Sequence, residues 1–509
     1  MTELDSDLPD RRSCSQLSTL LDSLDSLLDL GRSDISVFMK YLYCLLSLAV
    51  AVPCLAERPN IILCMADDLG WADVGFNGNE VVITPELDEM AKAGLRFDRF
   101  YAAAPVCSPT RGSVLTGRHP NRYGIPTANQ GHLNRDEISV AEVLKMHGYR
   151  TGHFGKWHLG TLAPDYSGKN NRKPEKNYMT PGMSGFDEWF STEYSVSTWD
   201  PYNPENAHNG ILDPRVLFYH NGRNIVDGPA EGLVGDTAEL VMDKAVDFMD
   251  DAVRYDRPFL AVIWFHAPHL PVVGGPEFLA MYPDLDEDTQ HYYAVITAVD
   301  RQMGRLRSLL REWGVAENTM VCFTADNGPE GNPGKRGRSQ GSADPFRGRK
   351  RSLYEGGVRV PGLIEWPARI EAGSETAVSA VTSDYFPTAL DMLGYKLPEE
   401  LRRPYDGISL LPLIEGRRFA RPSPIGFQGH GLATLNDNRF KLVHNPSKKR
   451  QSHDNGTTPV AEWELYDLLE DPGETTNIIE QHATLANRMR EQLQAWQASC
   501  VASADGADY

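Results

Sequence analysis

Short apolar runs alternate along the chain with segments of helical period. Residues 59–68, "PNIILCMADD", stay apolar up to two terminal aspartates, the pattern of a buried strand. In "TPELDEMAKAGLRF" (84–97), Thr84 stands at an N-cap, Pro85 at the first helical position, and Leu87, Met90 and Ala91 on one face, which predicts a helix. The stretch 139–160 opens with the capping box Ser139 and Glu142. Its helix stops at Gly148, and a strand over 149–154 leads into Lys156 and His158. A capped helix over 236–252 precedes a strand over 258–265 that runs into His266. A long helix at about 288–313 precedes a strand over 319–328 that carries Asp326 and Asn327.

Helix–strand alternation of this kind predicts an α/β fold: a large, mostly parallel sheet sandwiched by helices. In such sheets ligands sit beyond the carboxyl ends of the strands, where this chain places Asp67 and Asp68, Lys156 and His158, His266, and Asp326 and Asn327. The main domain is expected over 57–416. A smaller α+β subdomain over 417–509 follows, with an antiparallel sheet and a helix from about 479 to 498. Residues 161–235 are rich in Pro, Asn and Gly and read as long surface loops.

The amino-terminal end reads differently. Residues 1–38 are polar and acidic, an extension outside the mature protein if translation starts at Met39. From Met39, Lys40 supplies a positive charge, Tyr41 to Val52 an apolar core too short to span a bilayer, and Ala56 a small residue at a cleavage site. Residues 39–56 are therefore expected to be a signal peptide. The protein is expected to be secreted or periplasmic, with no integral membrane segment after cleavage. Its 509 residues carry a formal net charge of -20, which disfavours nucleic acid as a partner. Of seven cysteines, four (64, 107, 322 and 500) lie beyond Ala56, too few for a disulfide scaffold in a chain of this length. Cys64 and Cys322 sit in apolar runs as core thiols, and Asn455 carries a single Asn-x-Thr sequon.

Asp67, Asp68, Asp326 and Asn327 offer only hard oxygen ligands, which suit Ca²⁺ or Mg²⁺ rather than zinc. Adjacent carboxylates repel unless a cation lies between them, although a solvated loop would also accommodate "ADD" alone. Cys107 stands in "AAAPVCSPTRGSVLTGRHP" (102–120), ahead of a Pro-x-Arg, and a core thiol has no use for Arg111.

"CSPTRGSVLTGR" resembles the signature of the formylglycine-dependent sulfatases, the arylsulfatase and N-acetylgalactosamine-6-sulfatase-like branch of the alkaline-phosphatase-like superfamily. The likeness continues in order through "ADDLGWADVG", "TPELDEMAKAGLRF", "GKWHLG", "TADNG" and "RGRKRSLYEGGVRVPG" to "LYDLLEDPGETTNI", over roughly 58–480. It implies that a formylglycine-generating or sulfatase-maturating enzyme oxidises Cys107 to an aldehyde, which hydrates to a geminal diol. The diol is the nucleophile, and its second hydroxyl lets the sulfated intermediate collapse by elimination. The resemblance places Ser108 and Pro109 at the N-cap and first position of the following helix. It makes Asp67, Asp68, Asp326, Asn327 and the modified Cys107 the ligands of one metal ion, Ca²⁺ ahead of Mg²⁺. Arg111 would hold the diol. Lys156 and His158 would contact diol and sulfate, His158 taking the proton that triggers elimination. His266 would protonate the leaving alcohol, with His269 a weaker candidate, and Lys350 would bind sulfate and leaving oxygen.

Residues 335–351 hold seven basic residues and one acid, which suits capture of an anionic substrate or, more simply, a solvated loop. The resulting expectation is hydrolysis of sulfate esters on sulfated saccharides. The alternatives are a phosphate or phosphonate ester hydrolase of the same superfamily, or a non-catalytic, calcium-stabilised polysaccharide-binding protein with an unconverted Cys107.

Overall fold

The computed structural model describes residues 58–168, 172–207, 212–331, 333–450 and 460–509. The expected extension and signal peptide and the Asn455 sequon lie outside the described residues. Among those described, no helix is long and apolar enough to cross a membrane.

Five parallel strands form the centre of a ten-stranded sheet. They are β1 (Asn60–Ala66), β2 (Arg150–Lys156), β3 (Glu188–Thr192), β4 (Phe259–Trp264) and β5 (Thr319–Ala325), in the spatial order β5-β1-β4-β2-β3. Antiparallel pairing begins at the flanks, with Gly362–Glu365 beside β5 and Phe218–His220 beside β3. Every residue of β1, β4 and β5 is buried, as a strand covered by helices on both faces must be. Burial of Ile61, Ile62, Leu63 and Met65 contributes about 1.5–3 kcal/mol per side chain.

The helices of seven residues or more, Tyr385–Met392 apart, fall close to their expected positions. They are α1 (Pro85–Ala93), α2 (Cys107–Thr116), α3 (Val140–Met146), α4 (Thr237–Arg254), α5 (Glu287–Glu312), α6 (Tyr385–Met392) and α7 (Ala483–Ala504). The Ser139–Glu142 capping box opens α3, and Asp236 caps α4 by accepting from the N–H groups of Ala238 and Glu239. Thr84 is the N-cap residue of α1 but makes no cap bond, because its hydroxyl oxygen accepts instead from Gly75 N.

Strands β6 (Ile425–Gly429), β7 (Leu432–Asn436), β8 (Phe440–His444) and β9 (Trp463–Asp467) form the separate antiparallel sheet. One of its faces packs on α7 through Leu435, Leu442, Leu465, Met489 and Leu493. Phe427, Val443 and Tyr466 join Tyr101, Leu353 and Tyr354 in a second core.

Two expectations need correction. Residues 161–235 are not simply surface loops: they supply β3 and the edge strands Phe218–His220 and Arg223–Asn224, with Trp189, Phe190 and Phe218 buried. "EWFST" is too short to show a period between loop-forming residues. In addition, α2 starts earlier than Ser108. Val106, extended at φ -152 and ψ 156, is the N-cap, and Cys107 is the first helical residue. Pro109 is accommodated in the first turn, where its missing N–H would have had no intrahelical partner.

Candidate active site

Strand register assembles the acidic cluster. Ala66 of β1 pairs with Ala325 of β5, so the next residues, Asp67 and Asp326, emerge side by side. Asp326 N donates to Ala66 O at 3.2 Å, and Asp68 N donates to Asp326 Oδ1 at 3.1 Å. Asn327 Nδ2 donates to Asp68 Oδ1 at 2.7 Å. From the first turn of α2, Cys107 Sγ lies 4.0 Å from Asp68 Oδ1. Asp67, Asp68, Asp326, Asn327 and Cys107 are all buried.

Three cations answer these acids. One turn into α2 from Cys107, Arg111 donates from Nε (3.1 Å) and Nη2 (2.5 Å) to Asp326 Oδ2, and Nη2 also lies 3.5 Å from Asp67 Oδ1. Lys156, the last residue of β2, reaches Asp67 Oδ2 at 2.6 Å, where Ser195 Oγ also donates at 2.6 Å. Lys350 reaches Asp68 Oδ2 at 2.7 Å. Burial alone would raise the Asp67 carboxyl, but Lys156, His269, Arg111 and Lys350 outweigh it and hold the group well below the usual range. Burial, reinforced by Asp67 and Asp68, raises Asp326 against the pull of Arg111 and Lys156. Burial pushes the Cys107 thiol up to about 12, against Lys156 and Lys350, so an unmodified residue 107 is a poor nucleophile at neutral pH. The Lys350 ammonium is raised: burial opposes its charge, but Asp68 and the other acids prevail.

Among the described residues, two buried oxygens of the cluster accept no hydrogen bond: Asp67 Oδ1, which has only the 3.5 Å ion-pair contact with Arg111, and Asn327 Oδ1. Ligand atoms of Asp67, Asp68, Cys107 and His269 lie within 4.8 Å of one another. Buried carboxylate and amide oxygens gathered in this way fit a hard divalent cation.

Above the acids opens a cavity of about 290 Å³, lined by Asp68, Lys156, His158, His269, Lys350 and Arg351 among others. His158 Nε2 donates to Asn129 Oδ1 at 2.8 Å, because an amide oxygen only accepts. That leaves Nδ1, buried without a partner, as the basic nitrogen. Burial, with Lys156, Arg172 and Arg111, holds the ring well below its ordinary pKa, hence neutral. Asp68, His158 and Arg351 have positive φ (69°, 59° and 75°), a concentration of strain at one site.

The sequence-derived set divides in space. Lys156, His158 and Lys350 line the cavity with Asp68, while Cys107, Arg111, Asp67, Asp326 and Asn327 lie buried at the strand ends. His266 is not among the cavity-lining residues. Its ring meets Phe218 edge-on at 5.8 Å, both nitrogens lack hydrogen-bond partners among the described residues, and burial drops its pKa to about 3. The histidine on the cavity wall is His269, 3.6 Å from Asp68 Oδ2, held below its ordinary pKa by burial against the pull of Asp67 and Asp68. Sequence reasoning missed Ser195 and Asn129, which sit in stretches without periodic signal. It also missed Glu330, three residues beyond Asn327, which forms a two-pronged ion pair with Arg351 at 2.9 and 2.7 Å. Five of the seven basic residues in the run 335–351 are not free: Arg347, Arg349 and Lys350 are buried, and Arg338 and Arg351 pair with Glu287 and Glu330.

Residues 59–395 match the sulfatase family model. The chain is 32% identical to mouse (Mus musculus) N-acetylgalactosamine-6-sulfatase over 412 residues, covering 76% of this chain and 72% of that protein. It is 32% identical to human (Homo sapiens) arylsulfatase A over 478 residues, covering 89% and 88%. Among solved structures, Ps i-CgsB in complex with k-i-k-neocarrahexaose superposes with a TM-score of 0.73 at 27% identity, covering 87% of this chain and 93% of that one.

Proposed function

The chain belongs to the sulfatase family and is a sulfuric ester hydrolase, and from that premise we propose that it removes sulfate from sulfated saccharides through residue 107, matured to formylglycine. The observation that carries this reading is the convergence of Cys107, three acids and Asn327 beneath a cavity walled by Lys156, Lys350, His158 and His269. The names of the relatives point to sugars: one is an N-acetylgalactosamine-6-sulfatase, and the solved neighbour is a complex with a neocarrahexaose.

Asp67, Asp68, Asp326, Asn327 and residue 107 would hold one divalent cation, Ca²⁺ ahead of Mg²⁺, which supplies Lewis acidity and neutralises charge. Hydrated formylglycine at residue 107 supplies the geminal diol. Lys156 and Lys350 draw the anionic ester into the cavity and balance its charge as the S–O bond breaks. His269, on the cavity wall, is placed to donate the proton that the leaving oxygen needs, the role the resemblance implied for His266. His158 Nδ1 takes the proton of the second hydroxyl, so residue 107 returns to its aldehyde as sulfate leaves. Arg111 fixes Asp326 and, one turn below residue 107, keeps the site cationic.

This reading includes a signal peptide at 39–56, export, an encounter with a formylglycine-generating or sulfatase-maturating enzyme, and a division into a catalytic domain (57–416) and a carboxy-terminal subdomain (417–509). The test is a comparison of turnover on an aryl sulfate, an aryl phosphate and defined sulfated oligosaccharides, with mass spectrometry of the peptide containing residue 107. Preference for the aryl phosphate would make it a phosphate or phosphonate hydrolase instead. A free thiol on active protein would sink the proposed nucleophile.

A further inference from the structure

Two sequence motifs have no part in the chemistry above: the carboxy-terminal "LYDLLEDPGETTNI" (465–478) and most of the basic run that ends at Lys350 and Arg351. The structure joins them. Three residues before Lys350, Arg347 Nη1 donates to Tyr466 Oη at 3.0 Å, and its guanidinium lies 3.7 Å from the centre of the Tyr354 ring. Five residues after Lys350, Glu355 N donates to Glu474 Oε2 at 2.6 Å. Lys441 Nζ, from β8, lies 3.0 Å from Glu355 Oε1 and 2.9 Å from Glu474 Oε1, and all three side chains are fully buried.

A buried ion-pair network is weak evidence for stability, because apolar side chains of the same volume often serve as well or better. Its attested use is to specify one arrangement over others, and here there is an arrangement to specify. Lys350 and Arg351 lie on an irregular segment, and Arg351 has φ 75°. A strained non-glycine residue persists only where its surroundings over-determine it. The backbone of the segment is gripped on both sides: Gly356 N donates to Arg347 O at 2.8 Å and Arg351 N to Pro105 O at 2.8 Å.

We infer that the Glu355–Lys441–Glu474 trio and the Arg347–Tyr466 contact form a brace through which the carboxy-terminal sheet positions Lys350 over Asp68. Glu474, Lys441 and Tyr466 are thus positioning residues for sulfate capture and leaving-group departure. The inference rests on the role proposed for Lys350 and goes beyond it by giving the second sheet a part in turnover.

A double-mutant cycle tests it. Glu474→Gln and Tyr466→Phe are each made alone and on a Lys350→Ala background. kcat and KM are measured on p-nitrophenyl sulfate and on an alkyl sulfate, a good and a poor leaving group. Misplacement of about 1 Å costs up to roughly 100-fold, so each single variant is expected to lose about 10- to 100-fold in kcat/KM, more on the alkyl ester. On the Lys350→Ala background neither substitution should reduce activity further, because residues acting as a unit are not additive. Tyr466→Phe deletes only one hydroxyl, so it preserves the test if Glu474→Gln misfolds. Additive losses, or wild-type kinetics from both variants, would overturn the brace while leaving the role of Lys350 intact. Full activity in Lys350→Ala would overturn both.

Discussion

Arg111 directs two nitrogens, Nε at 3.1 Å and Nη2 at 2.5 Å, to one oxygen of Asp326, while the other oxygen accepts the Asp68 N–H. The arginine thereby fixes both acidic strand ends at once. Breaking a buried pair by deleting one partner costs about 3–5 kcal/mol, because the remaining charge stays buried. Arg111→Ala should therefore lose turnover and melt well below the wild type. Arg111→Lys, which lacks the planar fork, should recover only part of the stability. A wild-type melting temperature for Arg111→Ala would show that the pair does not hold the strand ends together.

Replacement of residue 107 separates chemistry from fold. Cys107→Ala removes one small buried group and should keep the native fold while turnover falls by on the order of 10⁴-fold or more. Cys107→Ser offers one hydroxyl where the diol offers two. Intact-mass measurement after incubation with an aryl sulfate should then find one sulfuryl group retained on the protein. Multiple turnover by the serine variant would contradict release by elimination.

Asp67 Oδ1 and Asn327 Oδ1, buried and accepting no hydrogen bond among the described residues, predict a stabilising cation. Removing divalent ions with a chelator should abolish activity and lower the melting temperature, and adding Ca²⁺ should restore both. At a concentration 100 times its Kd a bound ion contributes about 2.7 kcal/mol. Asp326→Ala should remove most of this response, and a melting temperature blind to chelation would refute the metal assignment.

The two histidines after β4 should differ in kind. His269→Ala should lower kcat by roughly 10²- to 10⁴-fold on esters of poor leaving groups and less on p-nitrophenyl sulfate, as loss of a general acid does. His266→Ala should show no such leaving-group dependence, because its ring packs on Phe218 away from the cavity lining. Identical leaving-group profiles would put His266 back in the acid role.

Glu330 gives a pH dependence with a definite sign. Burial would raise its carboxyl, but the hydrogen bonds and charge of Arg351, together with Lys350, hold it at about 2 against an ordinary 4.5. A depressed carboxyl stabilises the fold fully above pH 4.5, and the contribution fades as pH falls from about 4.5 towards 2. With some solvent reaching the pair, it amounts to roughly 1–2 kcal/mol. In urea unfolding, the stability gap between wild type and Glu330→Gln should be constant from pH 7 to 5 and shrink below 4.5. A gap that widens on acidification would show that Arg351 is not the partner.

The acidic strand ends were legible because a strand buried on both faces leaves an unbroken apolar run, and the residues that end it stand out: Asp67 and Asp68 after β1, Asp326 and Asn327 after β5. Lys156 and His158 could be read from the Gly148 stop, which ends α3 just ahead of β2. The ranking of His266 ahead of His269 had no footing in residue type, since the direction of each ring depends on the turn after β4. Ser195, Asn129 and β3 were hidden because their segments fold by long-range contacts, as in the bond from Ser195 to Asp67 across 128 residues. The basic run misled as a patch, because a sequence shows charge but not the Tyr354 ring and Tyr466 hydroxyl that engage Arg347.

Cys107 has only 2% of its surface exposed and begins a helix whose every residue is buried. No second enzyme can grip such a thiol and deliver an oxidant to it once the sheet has closed over it. On the reading proposed above, maturation of residue 107 would have to win a race against folding, while this stretch is still an open peptide. On that reading a molecule that folds first would stay inactive, and the active fraction of a preparation would record the outcome of that race.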